Sequence, residues 1–168
     1  MTAELSVPAR LEALERSLGD LVDQVAIKEV LLRYAQGVDR RDFDMVASCF
    51  VDGAVVHGSL GDATIEEYCR ILEVELARYR RTMHFVGNQY LEVRGDSAAL
   101  ETCAVAFHFV ELEPSPTDLV VGVRYRDELV RAGSSWRVAE RRVDADFVGA
   151  RFERREGGGR RFSPDEGG

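Results

Sequence analysis

"TMHFVGNQYLEVRGDSAALETCAVAFHFVELE", Thr82 to Glu113, is where the hydrophobic period of the chain changes from helical to two. Alternation on either side of the turn "RGDS" predicts a long antiparallel pair of strands. Downstream, "LVVGVRYRDELV" (Leu119–Val130), the turn "RAGSS" and "WRVAERRVDADFVGARF" (Trp136–Phe152) predict a second hairpin. Upstream the pattern is helical. Ile27, Val30, Leu31 and Tyr34 recur at steps of three and four, the spacing of one buried helix face. This predicts a main helix over 20–37, behind a helical lead-in over 9–18. Leu11, Leu14, Leu18, Leu21 and Val25 run along both as a short heptad-like seam. Gly19 separates the two because glycine weakens a helix interior, and Gly37 is placed to end the second. Asp42 caps a short helix over 43–49 that turns Phe43, Val46 and Phe50 inward. "AVVHG" is a short strand. Thr64, with Glu67 three residues on, opens another long helix through a capping box; its stripe is Ile65, Tyr68, Cys69, Leu72, Leu76 and Tyr79. Helices first and a meander of long strands after them make an α+β domain, a curved sheet with helices on one face. Such a sheet leaves a conical cavity beneath its helices, a natural place for a ligand.

The totals narrow the function classes. The 168 residues suit one domain with a substantial core, and the net charge of −8, with no basic stripe, excludes nucleic acid as the expected partner. No apolar run approaches the ~20 residues that span a bilayer. "MTAELSVPAR" lacks the charged and apolar regions of a secretory signal, so a cytoplasmic location is expected. Cys49, Cys69 and Cys103 are odd in number and widely spaced, a pattern of buried thiols instead of a disulfide framework or zinc site. "REGGGRR" follows the last strand instead of opening a helix, so it is no phosphate loop. No metal and no cofactor are expected.

The ordered set "GVDRRDFD", "FVDGAVVHG", "TMHFVGN", "VGVRYRDEL" and "SSWRVAERR" resembles the SnoaL-like branch of the nuclear-transport-factor-2-like (NTF2-like) superfamily. Within it the chain is most similar to the scytalone dehydratase, bile-acid dehydratase and hexachlorocyclohexane dehydrochlorinase group. The resemblance spans about residues 20 to 150 and implies a cystatin-like cone around a pocket. Residues 1–19 would then be a helical lead-in, and 151–168 a glycine-rich tail.

The resemblance also implies a catalytic pair. Asp39, a carboxylate at the edge of an apolar helix face, would orient His84 at the start of the first long strand. A histidine with pKa near ~6.5 is well matched to proton transfer at neutral pH, and a carboxylate on its far nitrogen fixes the tautomer. Without the resemblance, Asp39 reads as a cap and His84 as a satisfied strand histidine. Tyr34, five residues before Asp39, is either a hydroxyl donor to developing charge or a core aromatic. Arg141, five residues after Trp136, shares a strand face with Ala139, Val143, Ala145 and Phe147. It either anchors substrate charge or forms a buried pair with an acid. Alternation from Cys103 places Val105 and Phe107 toward the pocket and His108 away from it, unless a one-residue bulge reverses the faces. By the same resemblance Phe107 stands where the dehydratases carry a second acid/base group. His57 reads as a surface or rim residue.

The expected pocket wall is therefore Phe43, Phe50, Val86, Val105, Phe107, Val143 and Phe147. It suits a small, largely apolar, cyclic molecule in a dehydratase, dehydrohalogenase or isomerase reaction. A polyketide cyclase and a non-catalytic small-molecule-binding domain are the alternatives. Thr102, Ala104 and Ala106, small for a solvent-facing row, suggest a homo-oligomer formed through the outer sheet face, and the resemblance implies a trimer or dimer. The resemblance also implies that the tail, with Phe162 and Pro164 beyond the glycines at 157–159, is a lid over the pocket.

Overall fold

The computed structural model describes residues 6–58, 61–110 and 118–150. A helix α1 (Val7–Arg40) and a short helix α2 (Phe43–Ser48) precede strand β1 (Phe50–Gly58) and the two-residue β2 (Ala63–Thr64). Helix α3 (Ile65–Leu76) follows, and then the long strands β3 (Arg81–Arg94), β4 (Ser97–Phe109), β5 (Leu119–Ala132) and β6 (Ser135–Ala150). The strands form one curved, unclosed sheet in the order β2-β1-β6-β5-β4-β3. Its ladders are antiparallel except β1 against β6, which is parallel. The tail, with Phe162 and the glycines at 157–159, lies outside the described residues.

The helix boundaries differ from expectation in one respect. Gly19 does not divide α1, which runs unbroken to Arg40 and ends on Arg41 in the left-handed conformation at φ 57°. Gly37 is needed for closeness instead of termination: a Cβ there would stand 2.8 Å from Val46 Cγ2 and 3.1 Å from the Asp42 carbonyl oxygen. The missing side chain lets α2 fold back onto α1. The Asp42 carboxylate accepts from the Met45 backbone N–H at 2.9 Å, and the Thr64–Glu67 capping box starts α3 as expected.

The core is the set of side chains between helices and sheet, with Ile27, Leu31, Val46, Val56, Leu129 and Val138 all at most 1% exposed. Face assignments on the sheet correct the sequence reading. Directly opposed residues share a face, and β4 pairs Thr102 with Tyr125, Ala104 with Val123, Ala106 with Val121 and His108 with Leu119. Thr102, Ala104 and Ala106 are buried, so the small row faces the helices and is not part of the outer sheet face. Val105 and Phe107 are on the opposite, outer face.

Two register shifts set β6. Val138 and Arg141 are both buried although three residues apart, because the ladder slips between Glu128 and Leu129, leaving Ala139 as the extra residue. A second slip, between Gly122 and Val123, leaves Asp146 extra and turns Phe147 outward. The Phe147 ring lies over Gly122 there, where an added Cβ would meet it at 2.1 Å, and Phe147 is 53% exposed. Phe147 is therefore not a pocket residue. Phe85, level with Val105 in the register, is also exposed on the outer face.

Candidate active site

Asp39 sits one residue before the end of α1, and β3 passes beside it. Its carboxylate accepts three hydrogen bonds from that strand: Thr82 Oγ1 at 3.0 Å, the His84 backbone N–H at 2.9 Å and the His84 ring Nδ1 at 2.7 Å. Partial burial pushes the Asp39 carboxyl up. The bonds from the His84 ring and backbone, the His84 charge and the Thr82 hydroxyl outweigh it, and the net direction is down from the usual carboxylate range. With Nδ1 engaged, Nε2 is the free nitrogen of the ring. The His84 side chain is 7% exposed, and what it reaches is a cavity of about 270 Å³.

That cavity is mostly apolar. Val38 of α1, Leu72 and Leu76 of α3, and Val121, Val123 and Val143 of the sheet line it. Three tyrosines, Tyr34, Tyr68 and Tyr125, line it as well, together with Glu75, Arg78 and Tyr79. The Tyr34 and Tyr68 hydroxyls lie 3.2 Å apart, and burial raises both phenols above their ordinary value. Both remain neutral hydrogen-bonding groups at physiological pH.

His108 shares the cavity. Its ring centre is 6.3 Å from that of His84 and 4.8 Å from that of Tyr79. Burial, and then the neighbouring His84, hold its pKa below the ordinary histidine value, which keeps it neutral. The sequence reading left His108 on the outer face because alternation alone does not say which row of β4 faces the helices. The available signal was its own row, Thr102-Ala104-Ala106-His108, whose small members suit a surface roofed by helices.

Of the seven expected wall residues, only Val143 lines this cavity. Phe50 is a core residue against Tyr34, with ring centres 6.0 Å apart; Phe43 and Val86 pack on the core's edge. Arg141 is fully buried, and Arg142 is largely exposed. Arg141 is nevertheless paired in the interior and does not line the cavity. Its Nε and one terminal nitrogen donate to the two Asp127 oxygens at 2.6 and 2.8 Å, and its guanidinium carbon lies 4.1 Å from the Tyr34 ring centre. Burial alone would lower its pKa, but the Asp127 carboxylate outweighs that and keeps it protonated. His57 lies apart from the cavity, near Asp62 at 3.0 Å. Burial raises the thiols of Cys49 and Cys69, the latter to about 11, so neither is a ready nucleophile. Among the described residues no group of three or more His, Cys, Asp or Glu side chains is arranged to hold a metal.

A family model described as a SnoaL-like domain matches residues 19–142. The chain belongs to the SnoaL-like family. This SnoaL-like domain is 26% identical over 129 residues to an uncharacterized protein of Mycobacterium tuberculosis, covering 74% of this chain and 86% of that one. Among solved structures it is similar to a hexachlorocyclohexane dehydrochlorinase of Novosphingobium barchaimii, at 20% identity and TM-score 0.70, over 80% of this chain and 93% of the other. It is also similar to a scytalone dehydratase-like protein of Novosphingobium aromaticivorans, at 22% identity and TM-score 0.69, over 80% and 91%. At such identities the structural likeness is one of fold. Among the described residues no helix is long and apolar enough to cross a membrane.

Proposed function

We propose that this protein is a cofactor-independent acid/base enzyme that eliminates water or halide from, or isomerises, a small, largely apolar, cyclic molecule. The observation that carries the reading is the 2.7 Å contact between Asp39 Oδ1 and His84 Nδ1 at the wall of an apolar cavity of about 270 Å³. Asp39 is the positioning residue: it holds the proton on Nδ1 and stabilises the imidazolium as it forms. His84 is the general base. Its Nε2 takes a proton from a substrate carbon, the C–H electrons become the new double bond, and the leaving group on the adjacent carbon departs with its bonding pair. Where that group is hydroxide, the proton His84 has taken on Nε2 passes to it as it leaves as water, and the neutral His108 and the Tyr34–Tyr68 hydroxyl pair in the same cavity hydrogen-bond the departing oxygen. Arg141 contributes indirectly, as a fixed positive charge behind the Tyr34 ring. The chemical families of two structural neighbours, a dehydrochlorinase and a scytalone dehydratase-like protein, agree with this reaction class.

The test is proton exchange. The protein is incubated in deuterated water with a panel of small cyclic alcohols, ketones and halides, and loss of the acidic C–H signal and product formation are followed by NMR. His84→Ala and Asp39→Asn should each lower the rate by about 10²–10⁴-fold, with little change in the melting transition of His84→Ala. Ligand binding by calorimetry with no exchange and no product in the unaltered protein would make this a binding domain and retire the enzyme.

A further inference from the structure

The first half of α1 is not absorbed by the active site or by the core. Ile27 is the first residue of the helix that the core buries; before it, Asp23 ties the helix down by accepting from Arg131 at 3.0 and 2.6 Å and from Trp136 Nε1 at 3.0 Å. N-terminal to that point α1 extends as an arm. Val7, Leu11, Leu14, Leu18, Leu21 and Val25 lie along it at alternating steps of four and three, and each is 56–77% exposed. This narrow 3.5-residue period is that of a coiled-coil seam, whereas a helix packed on a core carries a broader stripe. At 100° per residue the seam is centred roughly 170° from the stripe Ile27, Val30, Leu31 and Tyr34. The domain therefore does not obstruct a partner on the seam.

We propose that this arm is a dimerisation element, in which two copies of the chain pair along the seam as a parallel, in-register coiled coil. The seam runs from Val7 to Val25, roughly 28 Å at 1.5 Å per residue. With Leu11, Leu18 and Val25 at heptad position a and Val7, Leu14 and Leu21 at d, Arg10 falls at g and Glu15 at the e position of the next heptad. In a parallel pair those two positions face each other across the interface, so Arg10 of each copy meets Glu15 of the other, twice by symmetry. In an antiparallel pair g positions flank g positions, so Arg10 meets Ser17 or Gln24 instead and loses the complementarity. The arm also lacks the means to stand alone. Its N-cap, Ser6, makes no side-chain hydrogen bond, its first turn carries no acid, and Gly19 lies within it. An unpacked helix of this length is marginal in water, and a partner along the leucines supplies what capping does not.

The experiment is light scattering on the full chain at low micromolar concentration, with Trp136 fluorescence reporting that the domain is folded. The expected mass is that of a dimer, and Leu14→Glu combined with Leu18→Glu should give a monomer with unchanged Trp136 emission. Arg10→Glu and Glu15→Arg should each raise the dimer Kd roughly tenfold, and the two together should restore it. Leu14→Cys, oxidised, should cross-link to its own counterpart, which requires a parallel pair in register. A monomeric unaltered chain overturns the proposal. So does a dimer that survives the two leucine changes but dissociates on Phe85→Glu, which would put the interface on the outer sheet face. Absence of the cross-link in a dimer overturns the parallel arrangement.

Discussion

Arg141 and Asp127 show how a residue can be placed correctly and still have another job. Both side chains are essentially without solvent contact, and the guanidinium is surrounded by the rings of Tyr34, Phe50 and Tyr125 at 4.1, 5.1 and 4.8 Å. One terminal nitrogen of Arg141 remains without a hydrogen-bond partner, so the site has no surplus of compensation. Asp127→Ala should therefore cost about 3–5 kcal/mol, the penalty of an unpaired buried charge, read from denaturant unfolding. Changing both partners to apolar residues of similar size should recover most of that loss. The strand position of Arg141 was legible because alternation is local and the reading began close to it. Its partner was not, since Asp127 lies on the neighbouring strand and only the register brings the two together. Asp39 and His84 were legible as a pair through the family motif, not through spacing: 45 residues separate them, and no periodicity links a helix end to a strand start.

The elements themselves were largely readable, because each carries its own punctuation: the Thr64–Glu67 box, the Asp42 cap, and the turns at Gly95 and Gly133 with φ of 64° and 67°. What periodicity could not supply was the slip at Asp146, where one extra residue exchanges the faces of everything after it and carries Phe147 to the outside. Nor could it say which row of β4 lies under the helices. Glycine was the other source of error, since the same residue type can end a helix, weaken it or permit contact. Gly19 and Gly37 separate these cases. Nothing lies within 4 Å of a Cβ added at Gly19, so Gly19→Ala should strengthen the arm by about 0.5–1 kcal/mol, seen as a gain in far-ultraviolet helical signal. At Gly37 the added carbon meets the buried, β-branched Val46, and Gly37→Ala should destabilise the domain by about 1–3 kcal/mol in a thermal melt.

At the scale of the whole molecule, the sheet order has a consequence for when the domain can form. β1 is flanked by the two-residue β2 and by β6, so its main neighbour is the last strand. Phe50 pairs with Val138, and Val55 through Gly58 pair with Glu140 through Val143, contacts that close more than eighty residues of chain. The β3–β4 and β4–β5 ladders join neighbours in sequence and can zip locally; the half of the core that rests on β1 cannot. A growing chain would hold α1, α2 and β1 with exposed apolar faces until β6 has left the ribosome. Refolding from denaturant should accordingly be slow for a domain of this size, in the millisecond-to-second range or longer, with helical signal recovering before the fluorescence of Trp136, which sits on β6 against Asp23 of α1. Simultaneous recovery of the two signals would mean that β1 and β6 find each other as early as the local hairpins do. If they do not, the parallel seam between β1 and β6 acts as a completion signal: the cleft holding His84 is finished only once β6 has been made.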